Sequence, residues 1–160
     1  MNITYRNELK QSDVIEIKNI IESTGFFYDY EIPVAIELVN EALIKGQEKS
    51  EYFFQFIEAD NKIASYLCYG HIPCTVGSYG LYWIATHNNY RGKGMGKLIL
   101  EKTHETIKNR NGRMIIAETS GTQKYISTRK FYENNGYKAE AIIKDFYQTG
   151  DDKIMYVFRF

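Results

Sequence analysis

A glycine-rich run, Asn89-Tyr90-Arg91-Gly92-Lys93-Gly94-Met95-Gly96-Lys97, constrains this chain more than any other stretch. Leu81-Tyr82-Trp83-Ile84-Ala85 precedes it as a strand-like apolar segment, and Leu98 to Ile107 follows at helical spacing. A strand, a basic glycine turn and a helix in succession make a place for a diphosphate. Glycines at alternate positions remove side chains, so backbone N–H groups can converge on phosphate oxygens. The helix start adds unpaired donors and the positive end of its dipole. Arg91, Lys93 and Lys97 supply countercharge.

Spacing eliminates two common diphosphate motifs. A dinucleotide fingerprint counted from Gly92 would need glycine where Lys97 stands, and it would open the first βαβ unit rather than lie past mid-chain. A P-loop ending at Gly96-Lys97 would need glycine at Arg91 and Ser or Thr at Leu98. Arg-x-x-Gly-x-Gly between a strand and a helix remains.

That run, Arg91-Gly92-Lys93-Gly94-Met95-Gly96 after Tyr90, resembles the pyrophosphate loop Q/R-x-x-G-x-G/A of the GNAT superfamily, the acetyl-CoA-dependent N-acetyltransferases. Downstream, Phe131-Tyr132-Glu133-Asn134-Asn135-Gly136-Tyr137 is similar to the family's helix-ending F-Y-E-x-x-G-F/Y. The resemblance runs from about Leu81 to Tyr137 and includes both motifs in the right order. It departs where the family helix begins N-x-x-A, since Tyr125 and Thr128 stand at those two places.

The rest of the chain bounds the partners. At 160 residues the length prior gives one domain over residues 1–160. Twenty basic and twenty acidic residues cancel, which leaves no bulk attraction to nucleic acid and makes any anion site local. No apolar run approaches the ~20 residues that span a bilayer, and Met1 to Arg6 has no apolar leader pattern, so the expectation is a cytoplasmic protein off the membrane. Cys68, His71 and Cys74 form C-x-x-H-x-x-C, but a strand and turn need not point these side chains together, and no metal site is expected.

Periodicity orders the elements. A first strand runs over Asn2–Glu8. Ser12 and Asp13 cap a helix bearing Val14, Ile17, Ile20 and Ile21. A second helix begins near Pro33 with Ala35, Ile36, Val39, Leu43 and Ile44 as its stripe, and stops at Gly46. Tyr52–Ala59 and Ile63–Tyr69 read as a hairpin across Asp60-Asn61-Lys62, and Tyr79–Thr86 as the strand entering the glycine loop. A helix over Lys97–Asn109, a strand over Arg113–Thr119 and a short helix over Tyr125–Asn134 follow, the last ended by Gly136 in a left-handed cap. Lys138–Tyr147 and Ile154–Phe160 close the chain as a second hairpin. The order β-α-α-β-β-β-α-β-α-β-β is an α/β layered domain. The resemblance implies the GNAT form of it: a mixed, mostly antiparallel sheet flanked by about four helices, with two strands splayed into a cofactor cleft.

The resemblance also implies roles. Acetyl-CoA would place its diphosphate on Arg91 to Lys97 and its pantetheine amides along the backbone of Ile84, Ala85 and Thr86. Tyr125 and Thr128, seven and four residues before Tyr132, would lie near the cofactor. Tyr132 is the candidate proton donor to the leaving thiolate. Glu118, in Ile115-Ile116-Ala117-Glu118-Thr119, is the candidate base for the attacking amine; Asp145, His87 or a water chain are alternatives. Phe26 to Glu31, Asp145-Phe146-Tyr147 and Asp151-Asp152 join aromatics to carboxylates, which suits a cationic acceptor with an apolar body, a capped core or a homodimer interface equally. The expected activity is transfer of acetyl to a primary amine of a small molecule or peptide, without a metal. The competing reading is a catalytically silent acyl-CoA sensor or interaction module.

Overall fold

The computed structural model describes residues 1–160. Its strands are β1 (Ile3–Arg6), β2 (Phe53–Ala59), β3 (Lys62–His71), β4 (Ser78–Thr86), β5 (Met114–Ser120), β6 (Lys138–Gln148) and β7 (Asp151–Arg159). Its α-helices are α1 (Asp13–Thr24), α2 (Glu31–Lys45), α3 (Gln47–Ser50), α4 (Met95–Asn109) and α5 (Ile126–Asn134). The strands form a mixed, mostly antiparallel seven-stranded sheet in the order β1-β2-β3-β4-β5-β7-β6. One helix more than expected appears, because Gln47–Ser50 adds a single turn after Gly46. The chain divides into two compact units, Met1–Gly70 with Trp83–Thr106, and His71–Tyr82 with Ile107–Phe160.

In the first unit, alternation along the strands sends side chains to two helical layers. Phe54 and Phe56 of β2, Tyr66 and Cys68 of β3 and Ala85 of β4 face Ile17, Ile20 and Ile21 of α1 and Ala35, Val39 and Ala42 of α2. On the other face Gln55 Nε2 donates to Thr106 Oγ1 of α4 at 3.3 Å. The hairpin β2–β3 turns on Asp60 and Asn61, both left-handed (φ 50° and 65°), the pair of conformations that a two-residue turn of matching twist requires. Two sequence expectations change. Ile44 lies on solvent (83% exposed), about 140° around the helix from Val39, and Ala42 takes the core position instead. Ser12 makes no side-chain cap. Asp13 is instead buried, accepting from Lys10 N–H at 2.7 Å and from Arg6 Nη1 and Nη2 at 2.9 Å each.

In the second unit, Ser78–Leu81 pairs parallel with Met114–Ala117. β7 runs antiparallel to β5, from Met114↔Arg159 to Ser120↔Lys153, and β6 runs antiparallel to β7 at the sheet edge. Both strands of this last hairpin extend closer to the turn than their apolar pattern indicated, with Gly150 left-handed (φ 83°) at its tip. Residues directly opposite in an antiparallel pair share a face. Thr119 therefore lies with Ile154, and Ala117 with Tyr156, while Glu118 and Ser120 face the other way with Met155 and Lys153. α5 covers the first of these faces: Tyr132 stacks on Tyr156 at 6.0 Å and meets Tyr137 edge to face at 5.2 Å. Gly136 is left-handed (φ 86°), and a Cβ there would meet the Phe158 ring at 3.3 Å, so glycine is favoured by conformation and by space.

Candidate functional site

The glycine loop belongs to the first unit. After β4, Asn88–Tyr90 form one 3-10 turn, held by Asn88 N–H donating to Ser23 Oγ at 3.1 Å. His87 accepts from Asn89 N–H at 3.2 Å through Nδ1, which places it in the turn. Arg91 is extended (φ −65°, ψ 152°), and Gly92 and Gly94 are left-handed (φ 72° and 80°). Each glycine opens on free space, since a Cβ built on it would meet no atom within 4 Å. The helix starts at once: Leu98 N–H donates to Gly94 O at 3.1 Å. By helix geometry the N–H groups of Met95, Gly96 and Lys97 then lack intrahelical acceptors.

Side chains around the loop divide between anchoring and solvent. Met95 is fully buried and holds the loop to the core. Lys93 Nζ donates to Asn89 O at 3.1 Å and lies 5.5 Å from the Tyr90 ring. Lys97 pairs loosely with Glu101 at 3.7 Å, both exposed, an interaction that an incoming phosphate can replace. Arg91 is exposed. Two left-handed glycines under open space, a helix N-terminus and three basic side chains fit the diphosphate of coenzyme A. At the end of β4, Ser65 Oγ donates to Ala85 O at 3.0 Å and lies 3.0 Å from Thr86 Oγ1. Ile84 is half-buried.

The remaining candidates belong to the second unit. Tyr125 closes a 3-10 turn just before α5, and Thr128 lies half-buried one helical turn before Tyr132. Tyr132 is 4% exposed, and burial pushes its phenol well above the ordinary value, so it stays protonated. Neighbouring Tyr156 is pushed up to about 12 by burial and by donating to Glu133 Oε1 at 2.9 Å. The turn between β5 and α5 is braced by Arg129, a residue the sequence motifs did not flag. Its Nη1 donates to Ser120 O at 2.9 Å and to Thr122 O at 2.8 Å.

Glu118 lies on the sheet face opposite α5, so the structure does not bring Tyr132 and Glu118 together on one face. Its Oε2 pairs with Lys153 Nζ at 2.7 Å. Lys153 was invisible to periodicity because it precedes the apolar run by which the last strand is recognised. Asp145, the alternative base, has a turn role: its Oδ1 accepts from Gly150 N–H at 2.7 Å. Cys68 is buried in β3 while Cys74 is exposed, and no group of three or more His, Cys, Asp or Glu side chains converges as metal ligands.

This fold and loop define an α/β acyltransferase. A family model, the acetyltransferase (GNAT) domain, matches residues 49–139. A solved GNAT-family protein from Desulfovibrio desulfuricans is 40% identical, covers 99% of both chains and superposes with a TM-score of 0.94. The chain belongs to the GNAT family, whose activity is acetyl-CoA-dependent acyl transfer. Two more distant structures share the fold. PaiA N-acetyltransferase from Thermoplasma acidophilum, in complex with coenzyme A, is 20% identical over 100% of both chains (TM-score 0.76). The ribosomal-protein-S18-alanine N-acetyltransferase from Escherichia coli is 17% identical over 99% of this chain and 94% of that one (TM-score 0.76). No curated protein sequence matches significantly. No helix is long and apolar enough to cross a membrane.

Proposed function

We propose that this enzyme transfers acetyl from acetyl-CoA to a primary amine of a small molecule or peptide, by direct attack within a ternary complex. The observation that carries the reading is the loop at the start of α4, where Gly92 and Gly94 hold left-handed backbone under open space. Arg91, Gly92, Lys93, Gly94, Met95, Gly96 and Lys97 bind the diphosphate, Arg91, Lys93 and Lys97 through charge and the others through backbone N–H groups. Ile84, Ala85 and Thr86 offer the pantetheine arm a strand edge, and Tyr125, in the turn before α5, and Thr128, on α5, are assigned to cofactor binding. The bound substrate supplies an activated thioester carbonyl.

The residues then manage protons. Tyr132 keeps its proton at neutral pH, so it donates a hydrogen bond to sulfur as negative charge develops there. Glu118 takes the proton of the acceptor's ammonium.

The test is release of free thiol when protein, acetyl-CoA and a panel of primary amines are mixed. Release that depends on one class of amine and falls at least tenfold in Tyr132→Phe is expected. Tight coenzyme binding without release across the panel would identify a sensor instead.

A further inference from the structure

Two half-exposed rings on the β6–β7 hairpin hold a cation that belongs to the chain itself. Lys153 Nζ lies 3.7 Å from the centroid of Phe146 and 5.9 Å from that of Tyr147. The two rings meet edge to face at 5.0 Å, and each leaves nearly half its surface in water (48% and 46%). The lysine shows the opposite pattern, with 12% of its side chain exposed and its ammonium 2.7 Å from Glu118 Oε2. Core packing does not account for rings so exposed, and the ammonium is what they surround. A carboxylate on one side and an aromatic face on the other are the elements that recognise alkylammonium ligands.

The charges at the hairpin tip are engaged elsewhere. Lys144 lies 3.3 Å from Asp152, Asp151 Oδ1 accepts from Ser120 Oγ at 2.5 Å, and Asp145 accepts from Gly150 N–H. Register explains the pairing that remains. Lys153 stands opposite Ser120 on β5 and Ile143 on β6, so its side chain reaches diagonally along the sheet face to Glu118.

We propose that Glu118 and Phe146 form a binding site for a primary alkylammonium, that Lys153 fills it when no acceptor is present, and that the acceptor's ammonium enters by displacing Lys153. This rests on the acetyl-transfer reading and deepens it, naming the acceptor as a primary amine on an unbranched alkyl stem. Glu118 is 47% exposed, so water can reach the carboxylate while one ammonium replaces the other, and the Lys153 pair is weak enough to be exchanged. The flexible lysine stem can move its charge into water without moving β7. Once exchanged, the acceptor lies within hydrogen-bond reach of Glu118. One ammonium proton passes to the carboxylate, the freed nitrogen pair bonds to the thioester carbon as the C=O pair moves to oxygen, and the nitrogen sheds its second proton to water. Return of the oxygen pair breaks the C–S bond, whose electrons leave with sulfur as a thiolate held by the Tyr132 hydroxyl.

The test begins without acetyl-CoA. Titrate n-butylammonium chloride into the unliganded protein, into Lys153→Ala and into Lys153→Met, following amide shifts by NMR. Binding at least tenfold tighter in either variant than in the native chain is expected, and the gain should vanish when Phe146→Leu is added. With acetyl-CoA present, the variants should show a several-fold lower KM for n-butylamine. Binding no tighter than native in a folded variant would overturn the proposal, as would a gain that survives Phe146→Leu. Failure of both variants to fold would also overturn it, making Lys153 a structural residue. Acetyl-CoA titrations of the same proteins read separately on the transfer reaction: ammonium binding without coenzyme binding would leave this site standing and remove the reaction.

Discussion

At the scale of single residues, two buried hydroxyls have no hydrogen-bond partner, Tyr66 Oη in β3 and Thr119 Oγ1 in β5. An unpaired buried hydroxyl costs about 1–3 kcal/mol, so Tyr66→Phe should raise stability by roughly 1 kcal/mol in urea unfolding. A loss of similar size would mean that the hydroxyl has a partner after all. The reverse case is Asp13, whose side chain is 3% exposed and paired to Arg6 at 2.9 Å, while Arg6 also holds Glu58 at 2.7 Å and donates to Glu8 O. Burial works against the Arg6 charge, but the hydrogen bonds to Asp13 and Glu58 outweigh it and raise its pKa. Asp13→Asn should cost about 2 kcal/mol, since it removes a charge-assisted pair of hydrogen bonds from a part-buried cation. Tyr132→Phe belongs to the same scale but reads on turnover: the single-turnover rate should fall while coenzyme affinity, measured by calorimetry, stays within about threefold. Equal loss of both would make Tyr132 a packing residue.

At the scale of elements, α4 carries two separable properties. Its N-terminal loop needs left-handed backbone at Gly94 (φ 80°), which a β-branched side chain resists, so Gly94→Val should abolish coenzyme binding while leaving the core intact. Farther along, burial lowers the His104 imidazole to about 4 from its ordinary 6.5, against a smaller upward pull from Glu101. Folded chains then bind fewer protons than unfolded ones between those values, so the stability is complete above about pH 6.5 and is lost as pH falls toward 4. His104→Gln should flatten the difference in urea stability between pH 7 and pH 5; an unchanged difference would assign the acid sensitivity to other groups. Elements like α4 were legible because local signals agree. Glycines mark its start, an apolar stripe its body, and Asn111 (φ 60°) its end. The hairpin turn at Asp60-Asn61 was legible for the same reason. Ile44 was not, because a pattern of spacing tolerates one residue off the stripe and only packing into the core that includes Phe54 and Tyr66 decides between Ile44 and Ala42. Lys153 and Arg129 were not legible either. Their partners, Glu118 and the Ser120–Thr122 turn, are brought to them by strand register and helix packing, which no local window contains.

At the scale of the whole molecule, the chain is a GNAT-family acetyltransferase in which the glycine loop proposed for the diphosphate belongs to one compact unit and the candidate acid and base to the other. This division predicts independent defects. A change at Gly94 should remove coenzyme binding without altering how n-butylammonium binds to Lys153→Ala, and Phe146→Leu should do the converse. The most direct measurement is isothermal titration of coenzyme A into the pure, folded native protein and into Gly94→Val. A one-to-one binding isotherm for the native chain that disappears in the variant is the expected result. No heat with the native protein, or the same isotherm with both, would contradict the assignment of Arg91 to Lys97 as the diphosphate site.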